Sequence, residues 1–355
     1  MPALSPFWSR DLYAERRPRL LVRARILSGL RRYFESEGFV EVEPAILQAS
    51  PGNEVHLHAL ATEIIAPDGV RSPAFLHTSP EFAMKKLLAA GEKQPYAFTR
   101  VFRNRERGAL HAPEFTLLEW YRAGSSYQSL MEDCAAIVRI AADAAGASDF
   151  AFRGRRADPR AAPERLTVRD AFLRYAGVDL FASLSADGGS ADVGRFAAQA
   201  GAIGVRVAED DSWSDVFSRI LSERIEPRLG VGRPTILCEY PISQAALARP
   251  HPDDARLAER FELYVCGVEL ANAFGELTDA VEQRRRFTAA MSEKLRLYGE
   301  SYPIDEDFLA ALANAPPASG AALGFDRLAM LACRAERIAD VEWTPVFEPG
   351  ARSRQ

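Results

Sequence analysis

Two strand-like stretches joined by a polar loop place the strongest constraint on the fold of this chain. Residues 96–103 and 114–122 each alternate in the manner of a strand, and residues 104–113 between them are polar. Such a pair predicts a long antiparallel hairpin. Further strand patterns occur at 235–240, 261–270 and 320–324. Because the strands come in runs between helices, without βαβ alternation, the sequence predicts an α+β fold whose antiparallel sheet is flanked by helices.

Helical patterns accompany these strands. A first helix is expected from Leu20 to Glu37. A second begins at Ser79-Pro80-Glu81, where serine suits the N-cap and proline suits the first helical position. Arginines between residues 16 and 32 surround the first helix, and we favour a solvated face for them over a partner-binding patch.

The domain organisation follows from these elements. We predict one large domain at residues 19–340, preceded by an N-terminal extension at 1–18 and followed by a C-terminal tail at 341–355. Residues 150–230 predict a mainly helical insertion within that domain. Two of its helices have capping-box starts, at Thr167 and Ser212.

Composition and charge exclude several classes of protein. The chain has 355 residues, 48% of them hydrophobic, and a net charge of −5, so we expect a folded protein rather than a strongly basic nucleic-acid binder. No apolar run approaches the length of a membrane span. Four scattered cysteines without a CxxC pair fit a reducing cytoplasm. The sequence has no P-loop or GxGxxG motif, which disfavours a P-loop or Rossmann nucleotide site. It has no HExxH or GxSxG motif, which disfavours a metalloprotease or an α/β-hydrolase.

The second strand of the hairpin carries an unusual face. Phe115, Leu117, Glu119 and Tyr121 share one side because side chains alternate along a strand. A buried carboxylate needs a partner, so this face suits a pocket wall better than a core. The phenyl ring can stack on a flat base, and the polar groups can meet a cationic one. The alternative is a half-exposed strand with ordinary salt bridges.

Two more polar sets lie further along the chain. Glu262 and Glu269 are placed to converge on a divalent cation through hard oxygen ligands, although solvated strand carboxylates remain the alternative. At residues 320–327, small side chains permit close approach of a ligand to the backbone. Arg327, in the first turn of the next helix, suits a phosphate. With Arg103, these groups predict adenylation, in which a carboxylate attacks the α-phosphate of ATP and pyrophosphate leaves.

Four ordered segments resemble the motifs of class II aminoacyl-tRNA synthetases of the lysyl subgroup. They are TSPEFAMKKLL, FRNRERGALHAPEFTLLEWYR, GVELANAFGELTD and GAALGFDRLAML, and the resemblance runs from about Leu20 to Leu331. Since the class II helix begins near residue 20, we expect the anticodon-binding OB domain of lysyl-tRNA synthetases to be absent. This shorter form is similar to the elongation factor P lysine ligases, which its PISQAALA segment also resembles.

The resemblance implies a role for each candidate site residue. It implies catalytic roles for Arg103 at the α-phosphate and Arg327 at the γ-phosphate, and Mg²⁺ binding by Glu262 and Glu269. The implied ATP-binding residues are Arg103, Arg105, Glu106, His111, Phe115, Glu269, Leu270, Gly324 and Arg327. The implied substrate-binding residues are Ser79, Pro80, Glu81, Tyr121, Asn272, Glu276 and Ala322.

Within the substrate set, each residue has an expected partner. Ser79 and Glu81 would face the amino group near the reacting carboxylate, and Asn272 would orient that carboxylate. Tyr121 and Glu276 would hold the distal ammonium of a lysine-like substrate. Lysyl-tRNA synthetases usually have Gly at the position of Ala322, and the added methyl trims the pocket beside the α-amino group. This favours a substrate whose amino group is moved, such as (R)-β-lysine.

Three positions depart from the family pattern. Arg105 stands where the family has a Glu that contacts ATP, and Ala112 stands where Asn is usual. Pro44 comes one place early in motif 1. Arg105 reverses the charge beside the nucleotide, and a loop shift would let Glu106 take over the contact.

The sequence therefore predicts an ATP-dependent ligase that forms a lysyl- or β-lysyl-adenylate and transfers the acyl group to a lysine side chain of elongation factor P. The resemblance also implies a homodimer built through motif 1. The acidic balance and the expected absence of the anticodon domain weigh against tRNA as a partner. From the cysteines and the lack of an apolar span we expect a cytoplasmic protein with no membrane partner. Two alternatives remain. One is a free-standing lysyl-tRNA synthetase-like enzyme that acylates RNA, and the other is a catalytically silent regulatory paralogue.

Overall fold

A mixed eight-stranded sheet forms the centre of the protein in the computed structural model, which describes residues 7–346. The strands are β1 (Val40–Glu41), β2 (Leu47–Gln48), β3 (Leu60–Ile65), β4 (Arg71–Leu76), β5 (Pro95–Phe102), β6 (Glu114–Ala123), β7 (Phe150–Phe152), β8 (Arg155–Ala157), β9 (Glu164–Thr167), β10 (Thr235–Pro241), β11 (Leu257–Val265), β12 (Val268–Gly275) and β13 (Ala318–Gly324). In the large sheet their order is β1-β5-β6-β13-β12-β11-β10-β9.

Helices cover the sheet and its edges. They are α1 (Arg10–Ser36), α2 (Glu81–Ala89), α3 (Tyr127–Ala145), α4 (Val168–Ala171), α5 (Val193–Ala202), α6 (Trp213–Ile220), α7 (Ala280–Tyr298), α8 (Glu306–Leu312) and α9 (Phe325–Ala332). The predicted α+β class is therefore confirmed. Within residues 7–346, no helix combines the length and the apolar character needed to cross a membrane.

The sheet is not wholly antiparallel, which corrects the prediction. Its inner strands, from β5 to β10, pair antiparallel throughout. Each edge adds a parallel pair, β1 with β5 and β9 with β10. Parallel neighbours require a long crossover connection. Here residues 42–94 connect the first pair and residues 168–234 connect the second, so neither edge strand returns through a hairpin.

The predicted hairpin is confirmed as β5 and β6, in a register from Tyr96 opposite Trp120 to Phe102 opposite Glu114. One face of the sheet packs on α1, α3 and α9, where Phe34, Ile137 and Phe325 are fully buried. Burial of such large apolar side chains is the main source of stability in this layer. The opposite face of the sheet carries polar side chains and is available for a binding site.

Helix α1 begins at Arg10, well before the expected Leu20, and two of its arginines are buried rather than solvated. Arg16 donates to the backbone carbonyls of Ala339 and Glu342. Arg23 pairs with Asp326 at the start of α9. A buried charge is tolerated only with such partners. The apolar face of α1 begins only at Leu20. The periodicity of apolar residues therefore did not predict the first turns of the helix, which polar contacts hold in place.

The predicted helical insertion contains α4, α5 and α6 together with the short strands β7 to β9. Phe172, Phe196, Trp213 and Phe217 stack there in a separate apolar cluster. Ser212 forms the predicted capping box with Asp215. The domain boundaries stay predictions, and residues 1–6 and 347–355 of the expected extension and tail lie outside the described residues.

Candidate active site

A cavity of about 320 Å³ opens on the polar face of the sheet, above β6, β12 and β13. Strand register brings its walls together. Tyr121 of β6 lies opposite Gly320 of β13, and Ala322 lies between Glu119 and Asn272 of its two neighbours. The face of alternating aromatic and acidic residues on β6 therefore lines a pocket, as predicted.

Most of the predicted site residues line this cavity. They are Ser79, Glu81, Arg103, Glu106, His111, Phe115, Tyr121, Glu269, Leu270, Asn272, Glu276, Ala322, Gly324 and Arg327. Three predicted residues do not, namely Pro80, Arg105 and Glu262. The structure thus assembles the set from segments that are far apart in the sequence, while the role of each residue stays a prediction.

Gly320 makes the deep end of the cavity possible. A Cβ atom at this position would lie 2.3 Å from the Tyr121 ring and 2.5 Å from Oε1 of Glu276. Both distances are shorter than any van der Waals contact, so a side chain at Gly320 would displace the two groups predicted to hold the distal ammonium. The glycine is required here for space rather than for backbone freedom.

A buried lysine lies among the carboxylates at this end. Lys85 is buried in α2, with its Nζ atom 2.5 Å from Glu81 Oε1 and 2.6 Å from Glu276 Oε2. Burial alone would lower the pKa of Lys85, but attraction to Glu276 and Glu81 outweighs it and raises the pKa. Burial raises the pKa of Glu276 to about 7, and Lys85 limits that rise.

Glu119 completes the acidic end of the pocket. Burial raises its pKa to about 8, with a further contribution from Glu81. The Ser79 hydroxyl donates to Glu119 at 2.6 Å and the Tyr121 hydroxyl donates at 2.7 Å. With Glu81, Glu119 and Glu276 against the single cation Lys85, the fully ionised cluster has two uncompensated negative charges. A substrate with two ammonium groups matches that charge.

The start of α2 differs slightly from the prediction. The helix begins at Glu81, and Pro80 occupies the N-cap position rather than the first helical one. The Ser79 hydroxyl still accepts from the Glu81 amide at 3.2 Å. Pro80 lines a small second cavity behind the first, beside Ser79 and Glu81. It therefore shapes the backbone of the site and does not face the main cavity.

Arginines and an aromatic ring form the opposite end. The guanidinium of Arg103 lies 5.2 Å from the centre of the Phe115 ring, and its Nε atom donates to the Thr78 carbonyl. Arg327 donates to the carbonyls of Leu110 and Glu269. These contacts fix both guanidinium groups before any phosphate arrives.

His111 belongs to the same end. Its Nε2 atom lies 2.9 Å from Nη2 of Arg327. Burial lowers the pKa of His111, and the positive charge of Arg327 lowers it further. The imidazole is therefore neutral at pH 7 and accepts a hydrogen bond from the arginine.

The charge-reversed residue Arg105 turns away from the cavity. It adopts a left-handed backbone conformation, with φ of 66°. Its side chain pairs with Glu300, beyond the end of α7, and lies over the Tyr298 ring. Glu106, the next residue, lines the cavity in its place. The expected ATP contact from Arg105 is not supported by this placement, whereas the expected takeover by Glu106 is consistent with it.

The other departure in this loop, Ala112, packs against the main core. A polar side chain is not needed at this position, because the residue contacts apolar neighbours. The substitution therefore leaves the walls of the cavity intact.

The predicted magnesium pair is only partly arranged for a cation. Glu262 is buried and its carboxylate is engaged by Arg260 and by the hydroxyls of Tyr240 and Tyr264. Glu269 lines the cavity, with Oε2 3.7 Å from Nη1 of Arg327. Burial raises the pKa of Glu269, and repulsion from Glu262 raises it further. No group of three acidic, His or Cys side chains in residues 7–346 is placed to hold a metal.

Comparison with known proteins agrees with this geometry. A sequence model of the family described as tRNA synthetases class II (D, K and N) matches residues 11–347. The chain belongs to the class II tRNA synthetase family.

Similar proteins within the class II family are named as ligases. The chain is 39% identical over 332 residues to the elongation factor P–(R)-β-lysine ligase of Proteus mirabilis (strain HI4320), covering 92% of this chain and 95% of that protein. It is 40% identical over 326 residues to the ligase of the same name from Haemophilus influenzae (strain PittGG), covering 91% and 93%. The predicted family relationship is confirmed.

Sequence reasoning missed two residues at this site: Lys85, which pairs with the lining carboxylates Glu81 and Glu276, and Glu54, which itself lines the cavity. Lys85 lies in an apolar helix, where a lysine is normally solvated. Glu54 lies between β2 and β3, in the segment SPGNEVHLH, which has no helix or strand period. The docking of α2 brings Lys85 to the lining carboxylates, and the contacts of its loop with Lys294 and Pro303 hold Glu54 beside the cavity.

Proposed function

We propose that this protein is an ATP-dependent ligase that activates (R)-β-lysine, or lysine, as an adenylate and transfers it to a lysine side chain of elongation factor P. One observation carries the proposal. The cavity has an acidic end at Glu81, Glu119 and Glu276 and an arginine end at Arg103 and Arg327. A diamino acid bound in this direction presents its carboxylate to the phosphates of ATP.

The proposed activation step needs positioning and charge stabilisation rather than a covalent enzyme nucleophile. Asn272 orients the substrate carboxylate, and the carboxylate oxygen attacks the α-phosphorus as the bond to pyrophosphate breaks. Arg103 stabilises the charge that develops on the α-phosphate, and Arg327 holds the γ-phosphate. Phe115 supplies a surface on which adenine stacks.

Magnesium is proposed to accompany ATP, as is usual when phosphates must be neutralised. Glu269 is the predicted ligand whose carboxylate faces the cavity. Glu262 is engaged with Arg260, so it would bind a cation only after that contact is exchanged.

The preferred lysine isomer is proposed from Ala322. Its methyl group lies on the cavity face of β13, between Glu119 and Asn272 in the paired strands. This is the region between the ammonium end and the carboxylate end of a bound substrate. A methyl here reduces the space beside an α-amino group and favours (R)-β-lysine.

We also propose that the protein acts as a homodimer through the motif 1 region and does not require tRNA. The net charge of −5 gives little support to binding a polyanion, whose affinity depends on phosphate contacts. Sedimentation at micromolar concentration would test the dimer.

The main test is ATP–pyrophosphate exchange with purified protein, with (R)-β-lysine and with lysine, followed by transfer to elongation factor P. We expect exchange that depends on the amino acid and prefers (R)-β-lysine. Acylation of tRNA without acylation of elongation factor P would instead support a lysyl-tRNA synthetase-like enzyme. Absence of exchange in folded protein would support a silent paralogue and refute the proposal.

A further inference from the structure

Seven acidic side chains line the cavity, and most are already committed to a partner. They are Glu54, Glu81, Glu106, Glu119, Glu269, Glu276 and Asp326. Glu81 and Glu276 share Lys85. Asp326 accepts from Arg23 and from the Thr116 amide.

Three of the remaining acids lie at the two ends of the cavity, and the fourth is Glu54. Glu119 accepts two hydroxyl groups at the acidic end. Glu269 and Glu106 lie at the nucleotide end, beside Arg327 and His111 respectively. Glu54 forms no ion pair with any of residues 7–346, and it is partly exposed. It is therefore a cavity-lining acid to which the activation step assigns no role.

Glu54 lies where the two reactants of the second step must meet. The charged groups that act on it are Glu81, Arg103 and Lys294. Glu81 marks the amino end of the bound acyl group and Arg103 marks the α-phosphate. The acyl carbon of an adenylate lies between these two positions, because it is bonded to both the phosphate oxygen and the carbon chain that bears the amine.

The loop that carries Glu54 is held in place on both sides. The Lys294 ammonium donates to the carbonyls of Val55, at 3.0 Å, and Leu57, at 2.6 Å. Asn53 donates to the carbonyl of Pro303 at 3.3 Å. Gly52 has φ of +118°, and a Cβ atom there would lie 2.9 Å from the Glu54 carboxylate. These contacts hold the loop in place, and the absence of a Cβ atom at Gly52 leaves space beside the Glu54 carboxylate.

The electrostatic environment suits proton transfer. The pKa of Glu54 is raised to about 7, chiefly by burial and then by repulsion from Glu81, while attraction to Arg103 opposes the rise. A general base is most effective when its pKa is near the working pH, because it is then both deprotonated and sufficiently basic. An ordinary exposed glutamate would be a weaker base.

We infer that Glu54 is the general base of the acyl-transfer step, an inference that rests on the proposed ligase function. The Glu54 carboxylate accepts a proton from the ε-ammonium of the acceptor lysine. The neutral nitrogen attacks the acyl carbon, the bond from that carbon to the phosphate oxygen breaks, and AMP leaves with the electron pair. The new amide nitrogen releases its second proton to solvent, so one amide and one AMP are formed.

The test separates the two steps of the reaction in the Glu54→Gln and Glu54→Asp variants. Glu63→Gln serves as the matched control, because Glu63 is an exposed residue of β3 paired with Arg71. Activation is followed by pyrophosphate exchange, and transfer is followed by single-turnover acylation of elongation factor P from preformed adenylate. We expect Glu54→Gln to keep exchange within about 3-fold and to slow transfer by about 100-fold or more. Glu54→Asp should recover part of the transfer rate.

Two further readouts distinguish a base from a merely structural residue. The wild-type transfer rate should rise with pH and level off above about 7, and the Glu54→Gln variant should lose that dependence. Hydroxylamine is uncharged at neutral pH and needs no base, so it should consume the adenylate equally fast in both proteins. Normal transfer in Glu54→Gln, or equal loss of exchange and transfer, would overturn the inference alone. Absence of exchange in the wild type would overturn the proposed function itself.

Discussion

The buried ion cluster around Lys85 gives the sharpest prediction for stability. Replacing Lys85 by Met preserves the length of the side chain and removes its charge, which leaves Glu81 and Glu276 buried without a cation. Removal of one partner from a buried pair typically costs about 3–5 kcal/mol. A domain of ordinary stability unfolds with about 5–15 kcal/mol, so the variant should lose a substantial part of it at pH 8.

The loss should depend on pH in a defined direction. In the folded wild type the pKa of Glu276 is already raised to about 7, and without Lys85 it rises further. A carboxyl whose folded pKa lies above its unfolded value makes the folded state less stable as pH increases through that interval. At pH 5.5 the variant can instead protonate Glu276, so its deficit should be much smaller than at pH 8.

Urea unfolding of the Lys85→Met variant at the two pH values provides the measurement. Lys86→Met is the matched control, because the neighbouring Lys86 pairs with Asp305 and Asp307 near the surface. Such partly exposed pairs contribute about 0–1 kcal/mol. A deficit in Lys85→Met no larger than that of the control, or one independent of pH, would refute the argument that Lys85 neutralises these carboxylates.

Three other predictions concern the walls of the site. Gly320→Ala should raise the KM for the amino acid by about 5- to 150-fold, because overpacking against Tyr121 costs about 1–3 kcal/mol. An unchanged KM in pyrophosphate exchange would contradict this placement. Arg105→Glu should raise the KM for ATP a few-fold, because it breaks the ion pair with Glu300, and the added Glu300→Arg should restore the KM. A lower KM for ATP in the single variant would instead mean that position 105 faces the nucleotide. Ala322→Gly should shift the kcat/KM ratio of lysine to (R)-β-lysine about 10-fold toward lysine, as exchange with each isomer would show.

Local patterns in the sequence were sufficient for the central elements of the fold. The hairpin of β5 and β6 follows from alternation, and its register places Phe115 and Tyr121 on the same face. The pairing of the edge strands was harder to predict, because a two-residue strand such as β1 carries no pattern that identifies its partner. Its parallel pairing with β5 depends on the long crossover through residues 42–94.

The resemblance predicted most of the residues that line the cavity, but it did not predict the direction of each side chain, because that depends on the partners of the side chain. Glu262 and Glu269 have the same side chain and lie seven residues apart. Nevertheless, Glu262 forms a salt bridge with Arg260, whereas Glu269 faces the cavity. Spacing alone does not distinguish them. Arg105 is a similar case, since its left-handed backbone and its partner Glu300 determine the direction of its side chain.

The partners of the glutamates also explain how one cavity could keep one amine charged and deprotonate another. A bound substrate must keep its distal ammonium charged, since the charge provides recognition, whereas the acceptor amine must lose a proton before it attacks. At the deep end, Lys85 maintains Glu276 as a partner for a cation. Glu54 forms no ion pair within residues 7–346 and its pKa is raised to about 7, so in the proposed mechanism it takes a proton away. On this proposal, the positions of the lysine and the two glutamates separate substrate binding from acceptor activation.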